Sequence, residues 1–216
     1  MSNKLLGNVS RVYSFWGRFP LLYRLQDFIT FLGRAGRIRK KAVDSIKLNK
    51  KDKVLEVACG SGRNFYYLEN AVGKDGSIIG FDYSKEMLNA AWKLCKKNSW
   101  KNITLMQGDA AKLKVNEKKF DGVISILGIS AIPEWEKALV KCKKVLKPGC
   151  TLVVCDACLF KCGLKILNPV VKAVYTRLAA WDHSKDIPRK MKEIFGNVEV
   201  EEFNFGTIFI AKSVKK

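Results

Sequence analysis

The sequence predicts an α/β fold: a seven-stranded, mostly parallel sheet with a C-terminal antiparallel hairpin and helices on both faces. Two observations predict it. Over residues 51–155, short apolar runs alternate with segments of helical periodicity, which is typical of a parallel sheet that is buried on both faces. Near the end of the chain, two runs of alternating residues flank Gly206, which is the pattern of a hairpin.

The first 48 residues are expected to be helical. Pro20 suits a helix start. After it, apolar residues recur at the spacing of one helix face, at Leu21, Leu22, Leu25, Phe28, Ile29 and Leu32. A second, shorter helix is expected to end near Ile46 and to carry the basic run at residues 34–41. We therefore divide the chain into an N-terminal helical lid or acceptor-binding arm, residues 1–48, and a main domain, residues 49–216.

The main domain is expected to alternate strand and helix and then to change character. Its first part predicts strands at residues 52–58, 77–82, 103–109, 120–130 and 151–157. The helices between them are expected at residues 62–68, 85–98 and 134–146, the last closed by Pro148 and Gly149. The second part predicts a helix at 164–178, a polar turn, a short helix ending at Phe195, and the hairpin strands 198–205 and 207–214.

Composition limits the class of protein. With 216 residues and 48% hydrophobic residues, the chain can bury the core of one domain. The formal net charge of +20 predicts attraction to an anionic partner. No stretch approaches the roughly 20 apolar residues that cross a bilayer, and the first residues lack a signal-peptide pattern. We therefore expect a cytoplasmic protein whose seven cysteines are thiols.

The richest motif is the glycine loop at residues 54–64, which leaves a strand and enters a helix. Gly60 and Gly62 allow a ligand to approach the backbone closely. Asp82 ends the next strand, where a carboxylate can accept both hydroxyls of a ribose. The third glycine of a dinucleotide fingerprint is replaced by Phe65. Glu56, aimed at the loop, would repel a pyrophosphate and would favour a cationic ligand such as a sulfonium.

With these residues in place, the sequence resembles the class I S-adenosylmethionine-dependent methyltransferases, a Rossmann-like family. Five segments carry the resemblance, in order and at normal spacing: residues 56–62, 81–88, 107–110, 120–124 and 146–149. Ala58 departs from the family's pattern, because it replaces the first glycine of the loop. The segment around Tyr13 is similar to one in the ubiquinone/menaquinone-biosynthesis and phospholipid N-methyltransferase relatives.

The resemblance implies that S-adenosyl-L-methionine is the cofactor and that the main domain binds it. It implies that Gly60 and Gly62 line the amino-acid part, which Glu56 supports from behind the loop, and that Asp82 holds the ribose. It further implies that Asp109 and the amide of Ala110 contact the adenine. The remaining cofactor-binding candidates are Ala58, Tyr83, Met87 and Leu127.

Methyl transfer requires alignment more than a fixed set of catalytic groups. The two catalytic candidates are Tyr13, which can close over the cofactor, and His183, whose ordinary pKa suits a base. The spacing of Cys150, Cys155, Cys158 and Cys162 occurs in some metal sites, but the strand expected between Cys150 and Cys155 would hold them apart. We therefore expect no metal centre.

The N-terminal arm bears on the acceptor. Its aromatic and aliphatic face, followed by the basic run, is typical of a helix lying on an anionic membrane surface, and also of a lid packed on the core. We expect a small, hydrophobic or lipid-like acceptor and peripheral contact with a membrane. The alternatives are an RNA methyltransferase using the net charge, although nucleic acid leaves the apolar face without a role, and a non-catalytic binding module on the same fold.

Overall fold

A computed structural model describes residues 2–114, 119–161 and 163–216. The strands of these residues are β1 (Lys53–Val57), β2 (Ser77–Asp82), β3 (Ile103–Gln107), β4 (Phe120–Ile126), β5 (Leu146–Ala157), β6 (Glu199–Phe203) and β7 (Ile208–Val214). The α-helices are α1 (Ser2–Arg18), α2 (Pro20–Thr30), α3 (Ala35–Asp44), α4 (Phe65–Val72), α5 (Lys85–Lys97), α6 (Trp135–Val145), α7 (Asn168–Ala179) and α8 (Ile187–Phe195).

In the described part of the chain the strands form one seven-stranded sheet in the order β3-β2-β1-β4-β5-β7-β6. The pairs from β3 to β5 are parallel, whereas β7 is antiparallel to both β5 and β6. The hairpin therefore inserts its second strand beside the parallel set. This arrangement confirms the predicted fold class.

Each face of the sheet has its own apolar core because side chains alternate along the strands. Val54 of β1 packs on one side with apolar residues of α3, α4 and α5. Its neighbour Leu55 packs on the other side with residues of α6 and α8. Both faces are thus covered, as a parallel sheet requires.

Four element boundaries differ from the sequence prediction. The strand expected over residues 120–130 ends at Ile126, and a 3₁₀ helix (Ile129–Ala131) follows it. The helix after β1 begins at Phe65, so the glycines before it belong to a loop. Pro148 and Gly149 were expected to form the turn after the helix at 134–146, but they lie within β5. The pairing of β5 with β4 shifts in register at this point. The amide of Gly149 donates to the carbonyl of Lys215. The segment 164–178 divides into a 3₁₀ helix (Gly163–Leu167) and α7, since a proline occupies the first turn of α7.

Helix α2 reverses the usual amphipathic arrangement. Asp27 is buried, while the apolar positions predicted to form one face are exposed: Leu21, Leu22, Leu25, Phe28, Ile29 and the adjacent Leu32. Leu21 has 77% of its surface accessible and Phe28 has 61%. The inward side of α2 is therefore polar and its outward side is apolar. Among the helices that the structure describes, none has both the length and the hydropathy needed to cross a membrane.

Candidate active site

A cavity lies at the carboxyl ends of the central parallel strands, where this class of sheet presents its loops. This first cavity encloses about 830 Å³ including its open mouth, which suits a small molecule. Its walls combine the loop after β1, the ends of β2 and β3, the loop after β4 and the N-terminal helices. They include the predicted site residues Tyr13, Ala58, Gly60, Asp82, Tyr83, Asp109, Ala110 and Leu127.

The loop between β1 and α4 turns at two glycines. Gly60 and Gly62 have φ values of +54° and +79°, which residues with a Cβ rarely adopt. A Cβ on Gly62 would lie 2.6 Å from the ring of Phe65. Gly60 therefore belongs to the cavity wall, whereas Gly62, which is not among the described lining residues, allows the first turn of α4 to fold back closely.

Ala58 also has a positive φ, +55°, in spite of its methyl group. That conformation costs roughly 1–2 kcal/mol in a residue other than glycine. Space for the methyl comes from the loop after β4, because a Cβ on Gly128 would lie 2.6 Å from the Cβ of Ala58. Gly128, on the neighbouring loop, thus leaves room for the alanine that replaces the first glycine of the family's motif.

Asp82 is fixed at the end of β2 by backbone amides. Its Oδ2 accepts from the amide of Gly60 at 2.7 Å and its Oδ1 accepts from the amide of Ser84 at 2.8 Å. Burial raises the pKa of Asp82, and these hydrogen bonds lower it in part. Each oxygen keeps a further lone pair, so the carboxylate can accept two more hydrogen bonds from a diol in the cavity.

Asp109 and Ala110 follow β3, beside the end of β2, since the amide of Gly108 donates to the carbonyl of Asp82 at 3.0 Å. Oδ1 of Asp109 accepts from the amide of Ala111 at 2.9 Å and so caps the short 3₁₀ helix Ala110–Lys112. Tyr83 stands at the mouth of the cavity with 40% of its surface accessible. The predicted adenine contacts therefore sit on a turn that a side-chain cap holds in place.

A buried polar network lies behind the glycine loop, and sequence reasoning did not identify it. Asp27 of α2 forms ion pairs with Arg39 of α3 and with Arg63, the latter at 2.8 Å. Arg39 donates to Asn64, whose side chain donates in turn to Glu56. Arg39, Arg63 and Asn64 line the first cavity, so the N-terminal helices and the glycine loop share one set of charges.

Glu56 is fully buried at the end of this network and is not among the described residues that line the cavity. Burial raises its pKa to about 8, although Asn64 and Arg39 act in the opposite direction. Its Oε2 has no hydrogen-bond partner in the described part of the chain. Glu56 can therefore act on a ligand only through Asn64 and the loop.

Tyr13 and Leu127 lie between the first cavity and a second one. The second cavity, of about 460 Å³, is lined by Tyr13, Tyr23 and Leu127, which also line the first, and by residues of α1, α2, α7 and the end of β5. The hydroxyl of Tyr13 donates to the carbonyl of Ala179 at 3.1 Å, and burial raises its pKa well above the ordinary value. Tyr13 is thus a fixed part of the partition.

Besides Glu56 and Gly62, two further predicted residues do not line these cavities. Met87 is fully buried in α5 and is not among the described residues of either wall. His183 lines a third cavity with Lys161 and Glu202, and its ring centroid lies 5.8 Å from that of Trp181. The structure therefore does not bring His183 and Tyr13 to a common cavity.

The described cysteines of the run at residues 150–162 do not form a metal site. Cys155 is buried, Cys150 and Cys158 are half-buried, and Cys162 lies outside the described residues. The described ranges contain no group of three or more His, Cys, Asp or Glu side chains that could hold a metal ion. Burial raises the pKa of the Cys155 thiol, as expected for a packed core residue.

Comparison with known proteins bears on this geometry. A family profile described as a methyltransferase domain matches residues 48–209. A demethylmenaquinone methyltransferase of Staphylococcus carnosus (strain TM300) is 33% identical over 172 residues, which are 77% of this chain and 67% of that protein. The Staphylococcus aureus (strain JH9) protein of the same name is 36% identical over 154 residues, 71% of this chain and 58% of that protein.

Part of the length of both relatives thus lies outside the match. Among solved structures, a SAM-dependent methyltransferase from Aquifex aeolicus superposes with a TM-score of 0.65 at 19% identity, over 82% of this chain and 89% of that one. That likeness concerns the fold. The profile match and the identity to the curated relatives show the family, and the chain therefore belongs to the class I S-adenosylmethionine-dependent methyltransferases.

Proposed function

We propose that the chain binds S-adenosyl-L-methionine in the first cavity and methylates a small, quinone-like acceptor held next to it. Two relatives bear the name demethylmenaquinone methyltransferase, which points to an acceptor with an aromatic ring. The observation that carries the proposal is the pair of adjoining cavities that share Tyr13, Tyr23 and Leu127. One is suited to a nucleoside, and the other has aromatic walls.

The residues of the first cavity fit the chemistry of the cofactor. The Nε atom of Arg39 is buried and has no partner among the described residues, and Arg39 lines this cavity. A carboxylate ligand would supply that partner. We assign the amino-acid end of the cofactor to Arg39, Arg63 and the loop at Gly60, its ribose to Asp82, and its adenine to Asp109 and Ala110.

S-adenosylmethionine supplies a methyl group on a positively charged sulfur, which is a good leaving group. The task of the chain is then to hold, align and exclude water. We place the transfer at the junction of the two cavities, where Tyr13 and Leu127 line both. Overall, the methyl group replaces one proton of the acceptor, which is released to water.

We assign the role of lid to the N-terminal arm, residues 1–48. Its helices contribute Tyr13 and Tyr23 to both cavities and bring Asp27 to the two arginines behind the glycine loop. The family profile begins at residue 48, where the arm ends. The arm therefore completes a site whose other walls belong to the main domain.

The exposed side of α2 supports peripheral contact with an anionic membrane. Apolar side chains of α7 are exposed as well, including Val170 at 64%, and the two helices meet where Thr30 donates to the hydroxyl of Tyr175 at 3.2 Å. Basic residues complement an anionic surface: Arg24 on α2, Lys172 and Arg177 on α7, and Arg18 at the end of α1. A quinone-like acceptor with a lipid tail would reach the second cavity from that side.

Calorimetric titration with S-adenosylhomocysteine tests the cofactor assignment. Asp82→Ala removes two acceptors for the ribose, and each hydrogen bond to a charged group contributes about 1.5–3 kcal/mol. We expect binding to weaken at least about 100-fold, with Asp75→Ala on the exposed turn before β2 as the matched control. A near-normal affinity of Asp82→Ala, in a variant with an unchanged circular dichroism spectrum, would refute the assignment.

A further inference from the structure

The second cavity has the walls of a slot for a flat ring. Five aromatic side chains contribute to it: Tyr13, Trp16, Tyr23, Tyr175 and Trp181. They pair with each other, since the ring centroids of Trp16 and Tyr23 are 5.7 Å apart and those of Tyr175 and Trp181 are 6.2 Å apart. Hydrogen bonds to backbone carbonyls hold Tyr13 and Trp16 in place. Rigid aromatic walls favour stacking and edge contacts with an aromatic ligand.

Asp156, near the end of β5, gives this slot an open acceptor. The residue is completely buried and lines the cavity. Its Oδ1 accepts from the hydroxyl of Ser130 at 2.7 Å and from the amide of Ala157 at 2.8 Å, and its Oδ2 accepts from the amide of Ser130 at 3.0 Å. A carboxylate has about four acceptor positions. Three are occupied by the described residues, so one position on Oδ2 is left for a ligand.

Trp181 gives the same slot an open donor. The residue is 4% exposed, and its Nε1 has no hydrogen-bond partner among the described residues. A buried donor without a partner is rare in folded proteins and calls for a specific explanation. Trp181 lines the cavity, and a ligand oxygen would satisfy this donor.

We infer that the second cavity binds the acceptor as a hydroxylated aromatic ring, with a ring hydroxyl donating to Oδ2 of Asp156 and Nε1 of Trp181 donating to a ring oxygen. This inference rests on the proposed function and deepens it, since it names the subsite and the two residues that select the acceptor. Neither Asp156 nor Trp181 lies in a sequence motif that predicts this role.

The inference also gives the hydroxyl proton a place to go. Burial raises the pKa of Asp156, whose carboxylate the hydrogen bonds from Ser130 and the nearby charge of Lys185 partly stabilise. The proton moves to Oδ2, and the electron pair of the O–H bond stays on the oxygen and increases electron density on the ring carbon beside it. After that carbon has gained its methyl group and lost its own proton to water, Oδ2 returns the first proton to the oxygen.

Equilibrium dialysis with 1-naphthol and 1-methoxynaphthalene tests the inference, with S-adenosylhomocysteine at saturation. The two probes share a ring, but only the first has a hydroxyl proton. Because only 1-naphthol can donate a hydrogen bond to the carboxylate of Asp156, we expect the wild type to bind it at least about tenfold more tightly than 1-methoxynaphthalene. Asp156→Asn should abolish that preference, and Trp181→Phe should weaken both probes about tenfold. Trp92→Phe on the exposed side of α5, the matched control, should bind as the wild type does.

Several results would overturn the subsite. The first is weak and equal binding of both probes by the wild type. The second is a preference for the hydroxylated probe that persists in Asp156→Asn. The third is wild-type affinity of Trp181→Phe for both probes. Trp181→Phe replaces the indole with a smaller aromatic ring and removes a donor that has no partner among the described residues, so it remains informative if Asp156→Asn misfolds. Labelled methyl transfer from S-adenosylmethionine to a demethylmenaquinol-containing membrane extract, run in parallel, reports on the proposed function whether or not the subsite is correct.

Discussion

Replacing Glu56 with glutamine tests the buried network behind the glycine loop. Burial raises the pKa of Glu56 from 4.5 to about 8, and each pKa unit corresponds to about 1.4 kcal/mol. Between these two values the unfolded chain releases the proton that the folded chain keeps, so this residue lowers stability as the pH rises. The full destabilisation above pH 8 amounts to ~5 kcal/mol, and about 3 kcal/mol is present at pH 7.

Urea unfolding of the wild type and of Glu56→Gln from pH 4 to pH 9 measures this effect without cofactor. We expect the difference in unfolding free energy to change little below pH 4.5, to grow in favour of the variant up to about pH 8, and to level off above it. Glu136→Gln on the exposed side of α6 is the control, and its difference should not follow this curve. A difference for Glu56→Gln that stays constant within ~1 kcal/mol across the range would mean that Glu56 is ionised in the folded protein and balanced by Arg39.

Two further predictions concern the glycine loop and the membrane surface. Gly128→Ala should destabilise the protein by ~2 kcal/mol in thermal unfolding, because the new Cβ would lie 2.6 Å from the methyl of Ala58. Adding Ala58→Gly should restore part of the lost stability. Wild-type stability of Gly128→Ala would contradict this packing. Phe28→Glu should weaken binding to anionic vesicles about tenfold or more, whereas Val140→Glu on α6, the control, should not. Equal effects of the two substitutions would exclude α2 as the docking surface. Salt-sensitive binding of an RNA oligonucleotide, without binding to vesicles, would exclude it too.

Much of the fold could be predicted from the sequence because the periodic signals are local. The strand before the glycine loop and the hairpin around Gly206 are read from short runs of alternating or continuous apolar residues. The limits of β5 could not be predicted that way, because the pairing of Gly149 with Lys215 joins residues far apart in the chain. The burial of Asp27 under an exposed apolar stripe likewise depends on Arg39 and Arg63, which come from other elements.

The candidate site divides along the same line. Gly60, Asp82 and Asp109 lie in motifs with fixed positions relative to strand ends, so their placement around one cavity could be anticipated. Asp156 and Trp181 have no such motif, and only the tertiary structure brings them to a common wall. His183 was a catalytic candidate because the ordinary pKa of histidine suits a base, but its position depends on how the segment after α7 packs, which the residue type alone does not determine.

The ion pairs of Asp27 connect the exposed surface of α2 to the wall of the first cavity. One side of this helix is turned outward, and the other neutralises two guanidinium groups in the wall of the first cavity. If lipid adsorption shifts α2 at all, the shift reaches those guanidinium groups through one carboxylate. Coupling between two binding sites is reciprocal. If the bilayer increases the affinity of the protein for the nucleoside, the bound nucleoside must therefore increase the affinity of the protein for the bilayer by the same factor.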